Sequence, residues 1–462
     1  MRSPNLASSS PLCALLVTLL LLTLSPPSYA AEPSSAAEAE NAFFQGSHLL
    51  SKNSLAESVT ALEKALKLDP ENIKYRQVLA VAYNNLGLKL KREGNVAASI
   101  RALGKALELA PEDPDIHTNY ATAVMQAVKL PDDKMRLADR IEALRRVLEQ
   151  DPNNVSVQKA LATLMNNSGV NLGRKGNHQA EVSELEKAAQ LDPGNAAIKK
   201  NLATAYYNLA VQQGKGANYE EEARLLRRML ELEPKDKVAV ENLAKALSNL
   251  AVLKGKNGDV AGEITLLKES LEILPQDAVT KKNLAAAYNN QAVDPTSGMK
   301  FQERVTALEE SLRLDSKNRA TISNLSNLLV QEAVREFNGG SSPRAVELLE
   351  KAAKIDPGSK TVEKNLAAVY HEEALRRGER GNHDEEMRLL SKALKVAPGN
   401  EAIKTDLAMA YNDYAVSLGE KGDHEKEILY LSKAAKLVPD NKAIKENLDR
   451  AKRNGPSKDL KK

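Results

Sequence analysis

The chain has 462 residues, 27% of them charged, only 3% aromatic and none of them tryptophan, with a net charge of +3. So weak a net charge excludes bulk electrostatic attraction to nucleic acid. The single cysteine, Cys13, excludes a disulfide framework and a thiolate metal site, so stability rests on packing, in a core of leucine and alanine.

Met1 and Arg2 open a short basic segment, and residues 11–24 (PLCALLVTLLLLTL) form an apolar run of 14. Ser28-Tyr29-Ala30 offers small residues at both specificity positions of a cleavage site. Together these predict a secretory signal peptide over residues 1–30, cut after Ala30. A membrane span needs about 20 apolar residues, so no stable span is expected after cleavage. Cys13 lies ahead of the leucine run and not at its end, which does not resemble a lipoprotein acylation site. Residues 31–37 read as a flexible leader.

From there one residue returns at a fixed interval. Pro70, Pro111, Pro152, Pro193, Pro234 and Pro275 are each 41 residues apart, Ser316 holds the next place, and Pro357, Pro398 and Pro439 follow at the same interval. Ten anchors in register predict a tandem array over residues 38–453, in which each unit buries its apolar face only against its neighbours. A polar terminal helix over 441–453 suits a cap, and residues 454–462 form a charged tail.

Positions are counted here from each anchor. Position +2 is Asn, Asp or Ser in all ten cases, from Asn72 to Asn441, which predicts an N-cap and the start of a helix A. Position +9 is leucine, with Tyr120 the exception, and +13 is Tyr83, Tyr206, Tyr288, Tyr370 and Tyr411 in five units. Position +17 is Gly or Ala except at Val128. These positions share one helical face, and the alternation of large and small residues lets helices approach closely. A glycine 17 residues before the next anchor (Gly94, Gly176, Gly258, Gly340, Gly381, Gly422) breaks helix A. Helix B follows, carries a leucine at −8 in every unit from Leu62 to Leu431, and is stopped by the anchor. Pro131 and Pro295 fall where helix A should still be running, so those two helices are expected to end near Val128 and Val293.

The pattern N-L-A-x-A-Y, then G-[ND], then L-x-x-A-x-x-L-x-P, as in Asn201–Tyr206 through Leu226 to Pro234, resembles the tetratricopeptide repeat. The resemblance implies an all-α, right-handed superhelical solenoid of about ten helix-turn-helix repeats with a C-terminal capping helix. It differs in length. The common repeat is about 34 residues, and the Leu-to-Pro spacing of helix B is unchanged, so about seven extra residues fall in helix A or its turn. Seven residues are close to two turns at about 3.6 per turn, which lengthens helix A with little rotation of its faces.

In this family helix A lines the concave groove that binds peptides. Positions +8, +15 and +22 share the face of helix A opposite its core leucine. Position +8 is Asn119, Asn201, Asn242, Asn283, Asn324, Asn365 and Asn447; position +15 is Asn85, Gln126, Asn167, Asn208, Asn249, Asn290 and Gln331, then Glu372 and Asp413. Position +22 includes Arg92, Arg174, Lys215 and Lys256, then Glu379 and Glu420. The resemblance implies two ladders of carboxamides along the groove, the first similar to the asparagine ladder in the repeat region of O-GlcNAc transferases. A carboxamide both donates and accepts, so it can bond a peptide backbone without reading its sequence. The same asparagines also suit a local structural role.

His178, His383 and His424 occupy one repeat position at the start of helix B, which spreads them along the stack. No metal-ligand spacing, Walker loop or G-x-S-x-G elbow is present, so neither cofactor nor metal is expected. The sequence therefore reads as a non-enzymatic scaffold, secreted or periplasmic, that binds a protein or peptide segment along its A helices. The alternative is a periplasmic accessory that acts as a spacer in an outer-membrane or polysaccharide export assembly.

Overall fold

The structure, a computed structural model, describes residues 35–454. The expected signal peptide, the first residues of the leader and all but the first residue of the charged tail lie outside the described residues. Among those described, the chain forms 21 α-helices, one short 3₁₀ turn at Pro295–Ser297 and no strand. It divides into two compact units, residues up to Leu243 and residues from Ala244 on.

The first unit holds five helix pairs: α1 (Ser35–Ser51) with α2 (Leu55–Leu68), α3 (Ile73–Arg92) with α4 (Val96–Leu109), α5 (Pro114–Ala127) with α6 (Leu137–Gln150), α7 (Val155–Arg174) with α8 (His178–Leu191), and α9 (Ala196–Lys215) with α10 (Tyr219–Leu232). The boundary falls within α11 (Lys237–Lys256), which pairs with α12 (Val260–Ile273). The second unit continues with α13 (Ala278–Val293) and α14 (Phe301–Leu314), α15 (Arg319–Asn338) and α16 (Ser342–Ile355), α17 (Lys360–Glu379) and α18 (His383–Val396), and α19 (Glu401–Glu420) and α20 (His424–Leu437), closed by α21 (Lys442–Asn454). Helix A is 20 residues long in the unbroken repeats and helix B is 14. Helix α1 begins at Ser35, inside the segment expected as leader. Its Ala39, Ala42 and Phe43 are buried in one cluster with Leu62 of α2 and Tyr75 of α3.

Helix starts and stops follow local chemistry. The +2 side chain accepts a backbone N–H of the first turn in nine repeats, as Asn195 does from Ala197 and Ile198 at 3.1 and 3.3 Å. Ser359, at the tenth, makes no such bond. At the other end, the residue before the anchor leaves the helical region: Asp69 has φ −139° and ψ 80°, and Ala110 φ −138° and ψ 73°. A following proline imposes this by clashing with the α conformation of its predecessor. Asp315, before Ser316, takes φ −139° and ψ 84° without any proline. The repeat geometry therefore demands that conformation, and proline favours it in advance.

The core is built on the −8 leucine. All ten, from Leu62 to Leu431, are 0–1% exposed. Where +17 is glycine the leucine lies directly against it: a Cβ added at Gly87 would stand 2.5 Å from Leu103 Cγ, and one at Gly169 2.8 Å from Leu185 Cγ. Consecutive repeats are tied by the +13 tyrosine. Tyr206 donates to Glu186 of α8 at 2.5 Å, and Tyr83 and Tyr370 reach Glu63 and Glu350 in the same way. Burial, then the Glu186 bond, pushes the Tyr206 phenol up to about 12. The exception at +9, Tyr120, is buried beside Gly104, where a Cβ would stand at an ordinary contact distance of 3.7 Å from the ring.

The turn from helix A to helix B needs one residue in the left-handed region. Gly94 fills it at φ +81°, but Ala217 takes the equivalent place at φ +58°. An L-residue there costs about 1–2 kcal/mol, offset in part by the greater chain entropy glycine carries when unfolded. Ala217→Gly should therefore raise stability by up to about 1 kcal/mol, read as a higher urea midpoint with unchanged slope.

Candidate peptide-binding face

One stripe of helix A, at +7, +11, +15, +18 and +22, turns away from the packed helices. In α7 it is Lys159, Thr163, Asn167, Val170 and Arg174, of which only Val170 is half-buried and the rest are exposed. Beside it runs position +8, half-buried, at the seam with the preceding helix A.

The two amide ladders have different fates. At +8 the side chain bonds across the seam to position +14 of the preceding repeat, always 35 residues earlier. Asn119 donates to Asn84 at 3.0 Å, Asn201 to Asn166 at 2.8 Å, and Asn242 to the Tyr207 hydroxyl at 3.2 Å. In the second unit Asn324 donates to Asn289 at 2.8 Å and Asn447 to Asn412 at 2.9 Å. His371 and Asp406 form the same rung with the polarity changed, at 2.6 Å. Where +14 is Val330, Asn365 turns back to the Thr361 carbonyl at 2.8 Å. Where it is Met125, position +8 is Ala160, and Phe43 likewise precedes Val78. Asn283 makes no rung among the described residues, and its counterpart Ser248 accepts from Thr280 at 3.2 Å. With the exception of Val330 and Asn365, polar side chains are paired with polar ones and apolar with apolar, because an unpaired amide at a half-buried seam loses its water without a substitute.

Position +15 is the free ladder. Gln126, Asn167, Asn249, Asn290 and Gln331 are exposed, and Asn85 and Asn208 are half-buried. Two of these accept a long bond from the neighbouring rung, Asn167 from Asn166 and Asn290 from Asn289, both at 3.5 Å. Their remaining donors and acceptors face solvent. Position +22 is also exposed. Arg92, Arg174, Lys215 and Lys256 form no ion pair among the described residues, and Glu379 and Glu420 hold the position in the last repeats. A third row went unread in the sequence: position +18 is valine or leucine in every unbroken helix A, from Leu88 through Val170, Val211 and Val252 to Val416.

Two repeats interrupt the stripe. Helix α5 ends at Ala127 and α13 at Val293. Both shortened helices leave carbonyls without helical partners, and both repeats carry arginine at −12. Arg140 reaches the carbonyls of Val128 (3.3 Å) and Leu130 and the carboxylate of Asp132. Arg304 donates to the Ala292 carbonyl at 2.6 Å. The Arg140 side chain is 8% exposed and forms one wall of a cleft of about 480 Å³ shared with Asn166, Asn167, Asn171 and Arg174.

In five unbroken repeats −12 is glutamate, seated over a glycine at +21. A Cβ added at Gly173 would stand 2.2 Å from the Glu181 carboxyl carbon. His178, His383 and His424 serve this glutamate: each Nδ1 lies 2.9 Å from the carboxylate three residues on. Tyr219 and Val260 stand in the histidine's place before Glu222 and Glu263. Those two carboxylates have no side-chain partner among the described residues, and burial raises their pKa values. Among the described residues no group of three or more His, Cys, Asp or Glu is placed to hold a metal, and no helix is long and apolar enough to cross a membrane.

Residues 39–72 and 80–113 each match the family model of the tetratricopeptide repeat. The chain carries tetratricopeptide repeats. The two matched windows start 41 residues apart and leave out 73–79, the first two turns of α3. No curated protein matches the chain. Solved structures similar to it include the tetratricopeptide domain of P58(IPK), 18% identical over 90% of this chain and 98% of that one, with a TM-score of 0.22. A repeat protein from Bacteroides fragilis is 18% identical over 46% of this chain and 98% of its own, with a TM-score of 0.27. The human IFIT1 dimer with m7Gppp-AAAA is 17% identical over 95% and 93%, with a TM-score of 0.20. Tetratricopeptide repeats serve as protein-interaction scaffolds.

Two outcomes test this account of the seam. In a double-mutant cycle on Asn166 and Asn201, the coupling should be about 1 kcal/mol, the usual net worth of an intramolecular hydrogen bond; a value near zero would remove the rung as a stabilising contact. The raised pKa of Glu222 means that its ionised form costs stability as pH rises through that pKa, whereas below the unfolded value of about 4.3 the cost is absent. Glu222→Gln should therefore raise the urea midpoint at pH 7 and leave it unchanged near pH 4. Glu181→Gln, which removes a charge bonded to His178, should give no such gain.

Proposed function

We propose that this chain is a non-enzymatic, exported scaffold that holds an extended segment of a partner protein along the outward stripe of its A helices. The observation that carries the reading is the contrast between the amide ladders. The +8 amides are mostly spent on holding repeats together, whereas five of the seven +15 amides stand exposed, and none of those five spends its NH2 donors on a partner among the described residues. Amides at fixed spacing, flanked by an aliphatic row and a charged row, suit a peptide main chain with side chains on either side. Export is supported by the apolar run at 11–24 followed by Ser28-Tyr29-Ala30.

The experiment is affinity capture from the compartment into which the chain is exported. Wild type is compared with a chain carrying Asn167, Asn249 and Asn290 changed to Ala, three exposed side chains outside the rungs' donor set. Loss of at least one partner by 10-fold or more is expected, with the circular dichroism unchanged and a mature N-terminus at Ala31. Equal recovery of every partner would sink the reading and leave the spacer role, in which deleting repeats matters and changing amides does not.

A further inference from the structure

The stripe of the first unit specifies its occupant more closely than as an extended peptide, and this step rests on the function just proposed. In α7 and α9 it consists of three parallel rows: Asn167 and Asn208, then Val170 and Val211, then Arg174 and Lys215. Lys159 and Lys200, at +7, add a second cation to each repeat on the same stripe. None of these four cations has an acidic partner among the described residues. Of the acidic side chains near the stripe, Asp132 and Asp133 lie on the loop after the shortened α5, where Asp132 is already paired with Arg140, and Glu241 takes position +7 at the start of α11. The face is therefore basic and calls for an acidic partner.

Spacing decides the conformation. Successive A helices meet directly, as the side-chain bond Asn201–Asn166 at 2.8 Å shows, and packed helices lie about 8–10 Å apart. A β-strand presents the same face every two residues, about 6.7 Å. Two turns of an α-helix overshoot, at about 10.8 Å. A polyproline II helix has three residues per turn and rises about 3.1 Å per residue, so it returns to the same face every ~9.3 Å. Its backbone groups are also unpaired and fully solvated, which leaves a carbonyl in each turn for the amide row.

We infer that the first unit binds an acidic segment in the polyproline II conformation at three residues per repeat. Each turn places a carbonyl on the +15 amide, an aliphatic side chain or proline ring on the +18 valine, and a carboxylate against the +22 cation.

The test uses the full chain and four 18-unit fluorescein-labelled probes: (Glu-Val-Pro) repeated six times, a shuffled peptide of the same composition, (Lys-Val-Pro) repeated six times, and oligo-uridine. The Glu triplet peptide should bind at least 10-fold tighter than each of the other three in 0.1 M salt and weaken as salt is raised. Arg174→Glu with Lys215→Glu, both on exposed side chains, should weaken it at least 10-fold without changing the circular dichroism. Equal binding of the shuffled peptide overturns the register, and equal binding of the lysine peptide overturns the charge preference. Tighter binding of the uridine probe, or binding of no probe, overturns the inference as a whole. If captured partners are lost by the Asn167, Asn249 and Asn290 variant but kept by the charge-reversed one, the scaffold function stands and this inference fails. If the asparagine variant keeps every partner, the scaffold function fails on its own account.

Discussion

The contact between the helix B leucine at −8 and the small residue at +17 governs the structure. The leucine is buried in all ten repeats and faces Gly or Ala in all but the one with Val128, and the pair sets how closely helix A can approach helix B. At Gly46, Gly87 and Gly169 a methyl group would meet leucine Cγ within 2.8 Å. A stack of repeats has no central core to redistribute strain, so each unit must satisfy this contact from its own sequence. The large-to-small alternation on helix A follows, and so does its length. Helix A needs one face for the leucine and another for the next repeat, and what remains is turned outward.

The exceptions show how tightly local chemistry is coupled. Where helix A is cut short, at Ala127 and at Val293, position −12 changes to arginine and the guanidinium takes the carbonyls that the next turn would have bonded. Where +14 loses its polar atom, as Met125 or Phe43, position +8 loses its asparagine, and where it is Val330 the asparagine is kept but bonds its own helix at Thr361. An unpaired carbonyl or amide in a half-buried seam costs about 1–3 kcal/mol. Each lone change would have consumed a sizeable part of a marginal stability, so the pairs change together.

The fold was legible in the sequence because its determinants are local and repeated. Caps at +2, breaks at −17 and stops at the anchor can each be read within a few residues, and only Ser359 among the caps fails to make its bond. The seam was not legible in that way. The +8 asparagine looks like one half of a ligand-binding pair until its partner at +14, 35 residues back, is placed against it. The signal lay in the covariation of +8 with +14 and of −12 with the length of helix A, and a reading of one column at a time does not see it. The +18 valines were overlooked for a different reason. An aliphatic residue on a helix reads as core, and only its half-exposure, on a stripe of Asn and Lys, assigns it to the outer face.

The two ladders began as equivalent candidates, and geometry separates them. The +8 amides have fixed partners, so their chemistry is dictated by the need to hold neighbouring repeats in register. At +15 the fold makes no comparable demand, yet the amide is kept through seven successive repeats, in both units, before giving way to Glu372 and Asp413. A position with no structural requirement ordinarily admits any polar residue, as +22 does in passing from arginine through serine to glutamate. Uniformity without a packing cause is what a main chain laid across the repeats would impose, since every peptide unit offers the same donor and acceptor. The variable charge at +22 is then where one partner segment would be told from another.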